Sequence, residues 1–164
     1  MGEAKDTLTT KRNRVFLVVV DDSPEREVAL KYACLRARRS GGHVALLRVV
    51  EPVGPTFWAG VEAQMQAERR EEAERMLSAL ATEVQEIAGG YPMLLIREGD
   101  PREELLAQID EDPRISILVL AAAAATTGPG PLITALTGRH SRQLKVPMTI
   151  VPGTLDDEAL DRVT

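Results

Sequence analysis

The sequence predicts a single α/β domain built on a doubly wound parallel sheet of five strands, with helices on both faces. Three observations carry this. Short, almost continuously apolar runs alternate with longer stretches of helical periodicity, the pattern of repeated βαβ units. Glycine pairs stand where the first two helices should stop, at Gly41-Gly42 and Gly89-Gly90. The chain has 164 residues, 44% of them hydrophobic and 27% charged, which suits one ordinary core.

The first run, Val15–Val20, is continuous in Val, Phe and Leu, as a strand covered on both faces should be. Asp21, Asp22 and Ser23 follow with side chains suited to capping a helix, and Pro24 is tolerated in a first turn. Val28, Ala29, Tyr32, Ala33 and Ala37 then recur at helical spacing. A second strand is expected at His43–Val50 and a loop over 53–60, which holds Phe57 and Trp58. Those two aromatics suit packing under the loop, with anchoring a protein partner as the rarer use. A long helix covers Val61–Ala88, its charged stretch Glu68–Arg75 reading as a solvated face. The third strand is Met93–Arg97, and Gly99-Asp100-Pro101 turns into a short helix ending near Asp110. Ser116–Ala122 is the fourth strand, Ala123–Gly130 a loop, Pro131–Gln143 a helix and Met148–Val151 the last strand. Residues 1–13 read as a polar extension, 14–153 as the domain, and 154–164 as an acidic tail that frays or forms one amphipathic turn.

Charge and composition exclude several classes. A formal net charge of −5 opposes general nucleic-acid binding. No stretch approaches the roughly 20 apolar residues of a membrane-spanning helix, and Met1–Arg14 has no apolar signal core. The cytoplasm is therefore the expected compartment. Cys34 is the one cysteine and falls in an apolar helical stretch, so a packed, inert thiol is expected.

Ligands of doubly wound sheets sit at the carboxyl ends of the strands. Here those ends are Val20–Ser23, Val49–Pro52, Arg97–Asp100 and Ala122–Gly130. Catalytic equipment is sparse there: His43 and His140 lie in different elements, and no nucleophile elbow, Walker loop or metal cluster appears. Asp21 and Asp22 admit a metal or phosphoryl role, but helix capping accounts for at least one of them without further assumption. Gly128 and Gly130 would let backbone approach a phosphate, whereas Pro129 and Pro131 remove N–H donors from the same stretch. On residues alone, a phosphate site and a plain strand-to-helix turn fit equally.

Val20-Asp21-Asp22-Ser23 resembles the V-D-x-S start of universal stress proteins. Leu46 to Pro52 is similar to their second strand, and Gly99-Asp100-Pro101 to their turn before the third helix. Val146-Pro147-Met148-Thr149-Ile150-Val151 resembles their ending, and the fourth strand with its loop their nucleotide signature, G-x2-G-x9-G-(S/T). The match runs in order across Arg14–Gly153. It implies the strand order 3-2-1-4-5 of the adenine nucleotide alpha hydrolase-like fold. It also implies a homodimer through the last strand, at Val146, Met148 and Ile150. By the same resemblance Asp21 and Val49 would face adenosine, and Gly128, Gly138, Arg139 and His140 the phosphates, with Val20, Ala125 and Gly130 as further candidate binding residues. Gly128 and Gly138 keep the second and third glycines of the signature; Ala125 replaces the first, and Arg139 the hydroxyl residue. These departures lean toward the branch of the family without ATP, making this a non-catalytic stress-response module with no firm cofactor. The alternative is an ATP-binding or adenine-nucleotide-binding module using the same cleft.

Overall fold

The computed structural model describes residues 14–55, 58–125 and 127–164. Phe57 and the polar extension expected over 1–13 lie outside them.

Five parallel strands form one sheet in the order β3-β2-β1-β4-β5: β1 Val15–Val19, β2 His43–Val50, β3 Met93–Glu98, β4 Ile115–Ala122 and β5 Met148–Pro152. β1 is central because nothing in it needs water: Phe16, Leu17 and Val18 are at most 1% exposed. Its side chains alternate between two cores, as a period of two requires. Phe16, Val18 and Val20 join Val44 and Leu46 under the helices α1 (Arg26–Ser40) and α2 (Ala59–Ala88). Val15 and Leu17 join Ala45 and Leu47 under α3 (Pro101–Glu111) and α4 (Pro131–Thr137).

Local chemistry sets the helix ends. Gly41 and Gly89, at φ 70° and 83°, terminate α1 and α2 in the left-handed conformation that glycine adopts at little cost. Asp100 caps α3, its carboxylate accepting from the backbone N–H groups of Arg102 and Glu103, and Pro101 takes the first turn. Cys34 is fully buried in α1, and burial pushes its thiol up to about 12. None of the described helices is long and apolar enough to cross a membrane.

Four expectations are corrected. Asp21, Asp22 and Ser23 do not cap α1, which begins at Arg26 after Glu25. Asp21 instead closes a local turn, its Oδ1 accepting from the Ser23 N–H at 3.0 Å and hydroxyl at 2.6 Å. The helix expected to run to Gln143 stops at Thr137; a 3-10 turn at Ser141–Gln143 follows. Gly138 breaks it, with φ −99° and ψ −121°, far from helical values. Trp58 does not pack under its loop: it starts α2 and is 74% exposed.

The tail is the fourth correction. Asp157–Val163 forms a helix, α5, capped by the Asp156 carboxylate on the Ala159 N–H at 2.8 Å. It docks on α1. Leu160 enters the core at 2% exposure, and Asp157 and Asp161 pair with Lys31 at 3.0 Å and Arg39 at 2.6 Å. The Asp157 carboxylate holds the Lys31 ammonium above its ordinary range, ahead of an opposing contribution from burial. A helix of two turns is unstable alone, so only this docking makes it form.

Candidate functional site

The carboxyl ends of β1 and β4 diverge around a cleft, as expected where strand order reverses. Val20 follows β1, buried and hydrogen-bonded through its N–H to the Leu47 carbonyl at 2.8 Å. Arg48 of β2 reaches under this corner, donating to the Val20 carbonyl at 3.1 Å and to Asp22 at 3.2 Å. Asp22 is thereby committed to an ion pair. Arg26, in the first turn of α1, donates to the Asp21 carbonyl at 2.8 Å and lies 3.8 Å from the Met76 sulfur. Its Nε is buried without a partner. Among the described residues no group of three or more His, Cys, Asp or Glu could hold a metal ion.

The loop after β4 is drawn shut by the Ala123 N–H on the Pro129 carbonyl at 3.1 Å. Gly128 and Gly130 have φ of 119° and 110°, backbone that a residue with a side chain rarely adopts. Pro131 opens α4, and the Thr134 hydroxyl donates to the Gly130 carbonyl at 2.8 Å. Beyond α4, the His140 ring bridges two elements: Nε2 lies 3.0 Å from Arg102 of α3 and Nδ1 lies 3.1 Å from the Gln143 amide oxygen. Arginine can only donate, so Nε2 accepts and Nδ1 carries the proton.

The structure gathers the expected residues only in part. Asp21 and Gly130 line one cleft with Ser23, Arg26, Pro129 and Pro131, and its volume is ≈ 60 Å³. Gly128 and Gly130 also line an adjoining open depression beside Thr134. Val49 borders a third recess, with Asp22, Arg48 and Arg69, while packing against the core under α3 and α4. Ala125 and Arg139 are exposed, as is Gly138, while half-buried His140 is engaged with Arg102. Sequence reasoning missed Arg26 and Glu25. Nothing in their local pattern separates them from the other charges of a helix start; their roles come from the loops they meet.

The comparisons accord with this geometry. Among curated proteins, none matches the sequence. The fold is that of universal stress protein UspA from Lactobacillus plantarum, at 18% identity and TM-score 0.71, covering 85% of this chain and 98% of that one. It is also that of a universal stress protein in complex with cAMP, at 17% identity and TM-score 0.54, covering 86% of this chain and 98% of that one. A family member from Arabidopsis thaliana with AMP bound has 15% identity and TM-score 0.57, with 88% and 94% covered. The description "Universal stress protein family" matches residues 12–152. From β1 through β5, then, this chain belongs to the universal stress protein family.

Proposed function

We propose that the protein is a non-catalytic, homodimeric stress-response and signalling module whose cleft does not hold ATP tightly. One observation carries the second half. The cleft between β1 and β4 is narrow where Pro129 and Pro131 border it, at ≈ 60 Å³, and opens beside them into a depression of ≈ 700 Å³ at Gly128, Gly130 and Thr134. Pro129 and Pro131 both line the narrow part and contribute no N–H to a phosphate. Titration calorimetry with Mg-ATP at millimolar concentration is expected to show no saturable heat. Micromolar binding would sink this reading in favour of an adenine-nucleotide module. That alternative draws on the relatives bound to cAMP and AMP and on the positive-φ Gly128 and Gly130.

The dimer reading rests on β5. It is an edge strand, paired only with β4, and Ile150 is 40% exposed on it. An apolar open edge invites pairing, and a twofold axis lets one such edge cover its own copy. Ile150→Lys is expected to convert a dimer into a monomer by analytical ultracentrifugation. A wild-type monomer at tens of micromolar, or an unchanged dimer in the variant, would remove this surface from consideration.

A further inference from the structure

Arg26 is the first residue of α1 and borders the narrow cleft between β1 and β4, together with Pro129 and Pro131. Its side chain is pinned at the far end. Nη1 donates to the Asp21 carbonyl at 2.8 Å and lies 3.8 Å from the sulfur of Met76 in α2. Met76 in turn borders the recess that holds Asp22, Arg48 and Val49. One side chain thus lines the cleft of ≈ 60 Å³ and touches the wall of a recess of ≈ 360 Å³.

The stability of the fold does not call for an arginine here. A cation in the first turn of a helix opposes the helix dipole, which favours acids at that end. Nε is buried without a partner, and a buried donor left without an acceptor costs stability. Among the described residues no carboxylate pairs with the guanidinium. The acids of the turn before it are engaged elsewhere: Asp21 accepts from the Ser23 hydroxyl, Asp22 pairs with Arg48, and Glu25 accepts the Ala124 N–H at 3.1 Å. Local rules of this kind are broken chiefly at functional sites. What Arg26 supplies at this site is bulk, held in the wall of a narrow cleft.

We propose that Arg26 is a specificity-determining residue of the cleft, a pinned side chain whose bulk parts cleft from recess and shuts out ligands of nucleoside size. The inference rests on the reading of this cleft as the ligand site. Adenosine is the probe, because it carries no charge and reports on space alone. Arg26→Ala removes everything beyond Cβ, whereas Arg26→Met keeps a chain of comparable length without the charge. In calorimetric titrations of the whole chain, adenosine is expected to bind Arg26→Ala at least about tenfold tighter than wild type, the scale on which a few atoms of bulk discriminate ligands. Arg26→Met should bind adenosine as wild type does. Arg26→Ser, short and suited to a helix start, should match Arg26→Ala and repeats the test should that variant not fold. Adenosine affinity equal to wild type in both short variants, including no binding by either, overturns the proposal. An equal gain in Arg26→Met overturns it as well, since charge rather than bulk would then be the cause. Tight Mg-ATP binding by the wild type would sink the reading of a weak ATP cleft, while the ratio of adenosine affinities between Arg26→Ala and wild type still decides the role of Arg26.

Discussion

Leu160→Ala is expected to destabilise the protein by about 3 kcal/mol, within the range for deleting a buried leucine side chain. Leu160 lies in the chain's last turns, where fraying is the ordinary expectation. It is nevertheless 2% exposed and part of the core that includes Leu30, Ala33 and Leu77. Truncation leaves a cavity between α5 and α1 and loosens the two surface pairs, Lys31–Asp157 and Arg39–Asp161. Those pairs, exposed on the aspartate side, add little by themselves. The apolar contact dominates. For a chain of this size the loss corresponds to a fall of roughly 10 °C in melting temperature, measured by calorimetry. Val163→Ala, at a 50% exposed position of the same helix, should stay within about 0.5 kcal/mol. Equal melting curves for wild type and Leu160→Ala would show that α5 contributes no packing.

Gly153→Val should cost at least about 2 kcal/mol, since overpacking a site walled by backbone cannot be relieved by a rotamer change. A Cβ at 153 would run into the Ala122 carbonyl oxygen and come within 2.5 Å of Glu25 Cγ. The Gly153 N–H also donates to that same carbonyl at 3.1 Å, so moving the turn away breaks the link between β4 and the chain after β5. Glu25→Ala removes one obstacle and leaves the other. The double variant is therefore expected to recover only part of the loss, a coupling that a mutant cycle reads directly. Gly90→Ala, where an added Cβ meets nothing within 4 Å, is the control and should be close to neutral. A Gly153→Val protein as stable as wild type in urea unfolding would mean that the β4–β5 turn is not held as described.

Both predictions turn on contacts between segments far apart in the chain, and the same division governs what could be read from the sequence. The nearly continuous apolar runs announced β1 and β4 because a strand covered on both faces has no polar alternation to lose. Gly41 and Gly89 announced helix ends because they stand in a left-handed conformation costly to other residues. Asp100 and Pro101 announced α3 because capping and first-turn proline act within a few residues. The family motifs ordered these elements, and the sheet follows that order.

The tail, the break at Gly138 and the exposure of Trp58 were not legible in this way. α5 has a cap but too few residues to persist alone; it exists because Leu160 finds the core beside α1, more than a hundred residues earlier. Pro131 marked where α4 starts, but its end is set by packing, with residues beyond Gly138 turning so that His140 reaches Arg102. The site divides likewise. Gly128, Gly130 and the two prolines could be named from the sequence, since backbone freedom and missing donors are properties of single residues. The ≈ 60 Å³ of the cleft, the commitment of Asp22 to Arg48 and the reach of Glu25 to Ala124 could not. Periodicities and helix stops are legible residue by residue because each acts within a few positions of the chain, and the motifs follow one another along it in the family's order. Tertiary structure alone decided how open the cleft is and which charges face it, because volume and charge pairing arise between residues that only the folded chain brings together.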